Sequence, residues 1–253
     1  MKIYSWNING YNTCNQYGGF SEILSDKPDI ICLQEEKVAD PELLNNFFTM
    51  DYEKYYNFSE KRGHNGVFVF SKIAPEFVEY RIGQDRFDKD GRFIYLEYTS
   101  FILINIYMPH GGRDKRELSF KLDAYNKLYE YIKMILEKGK PIIIAGDYNI
   151  AHTELDVERY NDNRNNIMFT EEEREAFSKL LSLNIYDLFR EKFPQKREYT
   201  WWPYAFHARQ RNVGWRLDYF LGSMKNLNIN CFKTHSELYG SDHCPISLEV
   251  TLI

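Results

Sequence analysis

Four stretches of this chain carry acid, amide or imidazole side chains that could do chemistry, two of them directly after apolar runs. In ICLQEEK, Glu35 and Glu36 follow a run that reads as a buried strand. Period-two alternation sends adjacent side chains to opposite faces, so only one of the two can reach a common site. A carboxylate at a strand mouth suits Mg²⁺, a hard ion that takes one or two carboxylates and keeps waters for exchange; a solvated loop acid is the ordinary alternative. In PIIIAGDYNIAH, Asp147 and Asn149 project to one side if the backbone stays extended. Asp147 would orient a water or supply a proton to a leaving group, and Asn149 would hold a phosphate oxygen or position that water. A helix cap or Asx-turn competes with that reading. GWRLDYF and GSDHCPI contribute Asp218 and His243, which would form a carboxylate–imidazole dyad. A charged ring would stabilise a pentavalent phosphate and a neutral one would take a proton from water, and the sequence leaves both open. Ser241, Asp242 and His243 are consecutive and cannot converge as a serine-hydrolase triad, and no G-x-S-x-G elbow is present.

Positioning these groups requires strands that end on one edge. Short apolar runs predict strands over Lys2–Asn7, Asp29–Gln34, Gly66–Ser71, Phe93–Tyr98, Phe101–Met108, Pro141–Asp147, Leu217–Ser223 and Pro245–Leu252. Leu118, Leu122, Tyr125, Leu128, Tyr129, Ile132, Ile135 and Leu136 recur at helical spacing and draw an apolar stripe on a long helix. A second helix opens at Thr170 with Glu173 as its capping box and buries Phe177, Leu180 and Leu181. Runs such as IICL and PIIIAG are apolar on both faces, which predicts two packed mixed sheets flanked by helices, a four-layer αββα sandwich of the α/β class.

With 253 residues, 43% hydrophobic and 27% charged, and no linker-like tract, one catalytic domain over residues 1–253 is expected. No run approaches the roughly 18 apolar residues of a membrane span, and the N-terminus has no signal-peptide pattern. An intracellular protein is expected: cytoplasmic in a prokaryote, nuclear in a eukaryote. Cys14, Cys32, Cys231 and Cys244 make no C-x-x-C pair and read as packing residues. The net charge of −5 argues weakly against nucleic acid, since a basic rim can coexist with an acidic centre.

Taken in order, WNING, LQEEK, INIYMP, GDYNIAH, NVGWRLDYF and GSDHCPI resemble the exonuclease III-type apurinic/apyrimidinic (AP) endonucleases of the endonuclease/exonuclease/phosphatase superfamily, over essentially the whole chain. The aromatic run YTWWPY before NVGWRLDYF points to the DNA-repair branch. The resemblance implies that Glu35 binds Mg²⁺, with Mn²⁺ as a substitute, and that Asn7, Asn9 and Asp242 lie in or near its sphere. It implies that Asp147 handles a proton, that Tyr107 and Asn149 contact the scissile phosphate, and that His243 with Asp218 completes the site. The expected substrate is duplex DNA with abasic or 3′-blocked sites, cut 5′ to the lesion by a monomer in base-excision repair. Trp201, Trp215 and Leu217 fall where the family builds a pocket for a sugar without its base. Arg113, Lys115, Arg116, Arg209, Arg211 and Arg216 would contact phosphates or wedge the duplex.

Four positions depart from the pattern. Asn9 stands where some relatives have Asp, His110 where an Asn usually contacts the phosphate, and Trp201 where Phe is common; the loop YNTCNQYGG lacks the usual basic residues. Two other readings compete: a superfamily enzyme acting on a different phosphoester, such as a phosphoinositide, nucleotide or protein–DNA adduct, and a damaged-DNA binder with little catalysis. Small-phosphoester competition distinguishes the first, and damage-dependent binding without turnover the second.

Overall fold

A computed structural model describes residues 1–38, 51–223 and 227–252. Its strands are β1 (Lys2–Asn7), β2 (Ile30–Gln34), β3 (Glu53–Asn57), β4 (Val67–Ser71), β5 (Phe77–Glu79), β6 (Phe93–Glu97), β7 (Ile102–Tyr107), β8 (Ile142–Asp147), β9 (Tyr186–Asp187), β10 (Asp218–Gly222), β11 (Leu227–Thr234) and β12 (Ile246–Leu252). They form two six-stranded sheets, one in the order β11-β12-β1-β2-β4-β3 and the other β5-β6-β7-β8-β10-β9.

The pleat of the central strands generates the layers. In β2, Ile30 and Cys32 face the seam between the sheets, while Ile31 and Leu33 face the helices Tyr11–Gln16 and Gly19–Ser25. In β8, Ile143 and Ala145 face the inter-sheet seam, and Ile142 and Ile144 face the helices Leu118–Leu136 and Glu171–Leu181. Three apolar seams therefore separate four layers, which is the expected αββα sandwich. Among the described residues no helix is long and apolar enough to cross a membrane.

A polar bridge crosses the middle seam just below the ends of β2 and β7. Gln34 Nε2 donates to Asn105 Oδ1 at 2.7 Å, and Asn105 Nδ2 donates to the carbonyls of Leu33 (2.9 Å) and Phe68 (2.8 Å). Apolar packing alone would let one sheet slide over the other. These directional bonds give the sheets one register where the polar strand ends must meet.

The long helix runs as expected, but its buried face is turned slightly, onto Lys121, Ala124, Tyr125, Leu128, Ile132 and Ile135. The Thr170–Glu173 capping box is present, and Glu173 is itself buried beside Phe177 and Leu180, with Leu181 only partly buried. Lys121 Nζ donates to Glu173 Oε1 at 2.5 Å and to the Asn149 carbonyl at 2.6 Å, so the two helices and the loop after β8 share one buried ion pair.

Candidate active site

Each sheet contributes a parallel pair whose strands end together. In the first, β1 and β2 finish with Asn7 opposite Gln34; in the second, β7 and β8 finish with Tyr107 opposite Asp147. The antiparallel β10 begins at Asp218, directly opposite Asp147. Gly146 lets β8 run close to β7: at φ 149, a Cβ there would lie 1.9 Å from the Ile106 carbonyl oxygen. Only glycine fits that approach.

Asn7 joins the halves. Its Nδ2 donates to Glu35 Oε1 at 2.8 Å and to Asp147 Oδ2 at 2.9 Å, and its Oδ1 accepts from the Asn9 amide at 3.0 Å. Glu35 is the acid of the EEK pair that enters the site, but the pleat is not the reason: β2 has ended, and Glu35 is left-handed at φ 56. The neighbouring Glu36 is buried behind it, and burial holds its carboxyl well above the usual range. Glu35 is half-buried. Burial opposes its ionisation, but the Lys37 charge and the bonds from Asn7, Lys37 and Tyr107 outweigh it and keep the carboxyl below its ordinary range.

Asp147 accepts through both oxygens, Oδ1 from the Asn149 amide at 2.8 Å and Oδ2 from Asn7 and, at 3.3 Å, Asn149 Nδ2. The first of these is an Asx-turn, so the turn reading holds as well as the site reading, and Asn149 is left-handed at φ 51 instead of extended. Asn149 Nδ2 also donates to the Met108 carbonyl at 2.9 Å. His243 Nδ1 lies 2.8 Å from Asp218 Oδ2, and its Nε2 lies 3.8 Å from Asp147 Oδ2. Burial pushes Asp147 up to about 7, with the His243 charge opposing and the Asp218 charge adding. For His243, burial favours the neutral ring, but Asp218 and Asp147 override it and raise its pKa. Thr200 Oγ1 accepts from the Leu217 and Asp218 amides at 3.0 and 3.1 Å, fixing the start of β10.

On the rim of the site, Asn9 Nδ2 donates to Asp242 Oδ1 at 2.8 Å and Trp201 Nε1 to Asp242 Oδ2 at 3.0 Å. Trp201, Trp215 and Leu217 gather with Ile167, Met168 and Phe169, and of the three only Trp201 retains substantial exposure. His110 and Arg113 are exposed beyond the end of β7, and Lys115, Arg116 and Arg211 are exposed as well. The Arg209 guanidinium is turned inward onto the carbonyls of Ser236, Leu238 and Ser241.

Arg216 corrects the sequence reading. It is only 2% exposed and cannot reach a phosphate: Nε donates to Asp156 at 2.8 Å and Nη2 to Asp187 at 2.6 Å, with the guanidinium over Tyr219. An apolar neighbourhood with two facing carboxylates retains the cation inside. Arg216→Ala is expected to cost about 3–5 kcal/mol in denaturant unfolding, because Asp187 loses its cation and Asp156 keeps only Arg190. Burial resists Asp156 ionisation, but Arg216 and Arg190 prevail and hold it at about 2. A folded pKa below the unfolded value of about 3.9 stabilises fully above that value, and the contribution disappears as pH falls toward 2. The variant's unfolding free energy should accordingly change less with pH across that interval.

Sequence reasoning missed Lys37, Lys121 and Thr200. Lys121 had a signal, a cation on the apolar stripe, three residues after Leu118 and four before Tyr125. Lys37 lies next in the LQEEK motif; its Nζ sits 2.8 Å from Glu35 Oε2 and also donates to Asn9 Oδ1. A cation is thus already drawn between Glu35 and Asn9, and these hard oxygen donors fit Mg²⁺. Among the described residues, Asp147, Asp218 and His243 also bring ligand-type atoms within 4.8 Å of one another. There the imidazole is committed to Asp218 and protonated at neutral pH, which suits proton handling better than coordination.

The Endonuclease/Exonuclease/phosphatase family profile matches residues 4–243. This chain belongs to that family. It is 38% identical over 256 residues to an exodeoxyribonuclease of Bacillus subtilis, covering 100% of both chains. It is 40% identical to the DNA repair nuclease APEX1 of Danio rerio, over 98% of this chain and 81% of the relative. Two solved structures share its fold. One is the Neisseria 3′ phosphatase NExo bound to a product DNA hairpin (TM-score 0.89, 26% identity, 99% of both chains). The other is an AP endonuclease of Archaeoglobus fulgidus (TM-score 0.87, 27% identity, 100% of this chain and 99% of that one).

Proposed function

We propose that this family member is a Mg²⁺-dependent DNA-repair phosphodiesterase that hydrolyses the backbone 5′ to abasic sites in duplex DNA, with trimming at 3′ ends as a companion activity. The observation that carries the reading is the bonded path from Glu35 through Asn7 to Asp147, with His243 and Asp218 beside it, at the shared edge of both sheets. Relatives named as an exodeoxyribonuclease, a DNA repair nuclease and an AP endonuclease support DNA as the substrate.

Glu35 holds the ion, with Asn7, Asn9 and Asp242 around it, and Mn²⁺ substitutes. When bound, the ion neutralises charge on the phosphate oxygens. A water attacks phosphorus in line as the bond to the 3′ oxygen breaks, leaving a 3′-hydroxyl and a 5′-deoxyribose phosphate. Asp147, with a pKa of about 7, takes the water's proton or returns one to the leaving oxygen. Tyr107 and Asn149, whose side-chain Nδ2 gives up its 3.3 Å contact with Asp147, hold phosphate oxygens, and His243, kept positive by Asp218, stabilises the charge that builds up. Trp201 receives the extruded sugar at the surface, with Trp215 and Leu217 packed behind it as the pocket's floor, and an intact base is refused for lack of room.

A duplex bearing one abasic analogue, a duplex with a recessed 3′ end, and nucleotide or phosphoinositide competitors separate the readings. Incision at the analogue, undiminished by the competitors, is expected. Release from the 3′ end alone would replace the endonuclease assignment with an exonuclease. Asn9→Asp should lower the Mg²⁺ concentration for half-maximal rate, because it adds a carboxylate to the ion's surroundings. An unchanged Mg²⁺ titration would remove Asn9 from the ion's sphere.

A further inference from the structure

The two buried carboxylates of the site are held in different ways. Asp147 accepts three hydrogen bonds, from the Asn149 amide, Asn7 Nδ2 and Asn149 Nδ2. Among the described residues Asp218 Oδ2 meets only His243 Nδ1, at 2.8 Å, and the buried Asp218 Oδ1 has no partner. Apart from the imidazole that it orients, no side chain orients this acid. Its position comes from its backbone.

One hydroxyl pins that backbone. Thr200 Oγ1 accepts from two consecutive amides, Leu217 at 3.0 Å and Asp218 at 3.1 Å. Consecutive amides of an extended strand point to opposite edges, so one oxygen takes both only where the chain turns. The turn lies at the start of β10 and parts two side chains of different use: Leu217 enters the apolar cluster with Trp215, and Asp218 meets His243. On the side of β10 away from β8, β9 reaches only Leu221 and Gly222. The Thr200 hydroxyl therefore does for these two buried amides what a neighbouring strand would do, and without it they lose their partner.

The main chain of Thr200 reaches the other half of the dyad. Its carbonyl accepts from the Cys244 amide at 2.8 Å, directly after His243, and its amide donates to the Trp215 carbonyl at 2.9 Å. The next residue, Trp201, bridges Trp215 on one side and His243 on the other. One residue thus ties together the strand start that carries Asp218, the loop that carries His243 and the wall made by Trp201 and Trp215.

We infer that Thr200 is a positioning residue for the reaction: its hydroxyl sets the Asp218 carboxylate against His243. At 1% exposure it touches no substrate and acts only through the dyad. Misplacing a reacting group by about 1 Å costs on the order of a hundredfold in rate, so a lost hydrogen bond here reaches the chemical step. The inference rests on the phosphodiesterase reading of the site and adds a residue that stands behind its reacting groups.

Thr200→Val keeps the shape and removes the acceptor, and Thr200→Ser keeps the hydroxyl. The full chain and its variants are compared by single-turnover rates of abasic-duplex incision and of 3′-phosphate release in Mg²⁺, with undamaged-duplex affinity in EDTA and a thermal melt for each. Thr200→Val should slow both reactions about tenfold or more with duplex affinity unchanged, and Thr200→Ser should stay close to the parent. In an Asp218→Ala background Thr200→Val should slow neither reaction further, because the group that it positions is gone. Equal slowing with and without Asp218 overturns the inference, since the hydroxyl would then serve the fold at large. A Thr200→Val rate equal to the parent's overturns it as well. If Thr200→Val does not fold, Thr200→Cys, with a weak sulfur acceptor in place of the hydroxyl, enters the same comparison. A parent that releases 3′-phosphate but cuts no abasic duplex removes the incision reading, and the rates of 3′-phosphate release then decide for or against Thr200.

Discussion

Asp147→Asn is expected to lower the incision rate by about 10²–10⁴-fold while DNA affinity measured in EDTA stays close to the parent's. Asparagine has nearly the same shape, but it cannot carry a proton at neutral pH. It also cannot reproduce the contacts, because both Asp147 oxygens accept: one from the Asn149 amide, the other from Asn7 and Asn149 Nδ2. An amide satisfies one side and turns its NH₂ against donors on the other. Single-turnover rates with separately measured binding make the distinction. A variant with full turnover would show that this carboxylate moves no proton in the slow step.

The second large effect concerns the dyad. His243→Ala should reduce turnover by a comparable factor, about 10²-fold or more, through loss of a preorganised cation. Asp218→Asn is more diagnostic because it leaves the ring in place. Asp218 is the strongest of the groups that raise the His243 pKa, so its neutralisation must lower that pKa. If imidazolium is the working form, activity is present below the His243 pKa and lost as pH rises through it. The alkaline limb of kcat/KM should therefore move to lower pH in Asp218→Asn. An unmoved limb would mean that the neutral ring does the work, the alternative that sequence alone left open.

The fold was legible where burial is complete. All eight strands read from apolar runs are present within a residue or two at each end, because strands covered on both faces must be apolar throughout. The strands that escaped were β3, β5, β9 and β11, and these are the four sheet edges. Half-solvated edges need no continuous apolar run: β5 and β9 are two or three residues long, and β11 alternates buried with exposed positions. The short helices, such as Leu188–Lys192, span too few residues to display a period.

The site was legible as a set of residue types and less so as geometry. The expectation that only one of Glu35 and Glu36 faces inward holds, but a left-handed backbone selects it, and sequence spacing carries no trace of that. Arg216 looked like a surface cation because Asp156 and Asp187, its partners, lie 60 and 29 residues away. Lys37 was visible yet unassigned, since its meeting with Asn9 depends on β1 and β2 ending side by side. Long-range pairing of charges follows from topology, and topology becomes available only once the sheets are ordered.

The central claim is a metal-dependent cut beside a missing base, and the most direct measurement maps the product ends of a duplex carrying a single tetrahydrofuran abasic analogue, incubated with Mg²⁺ and in parallel with EDTA, next to an undamaged duplex. The predicted result is one break 5′ to the analogue, with an extendable 3′-hydroxyl, in Mg²⁺ only and absent from the undamaged duplex. Equal incision in EDTA, or equal cutting of the undamaged duplex, would contradict it.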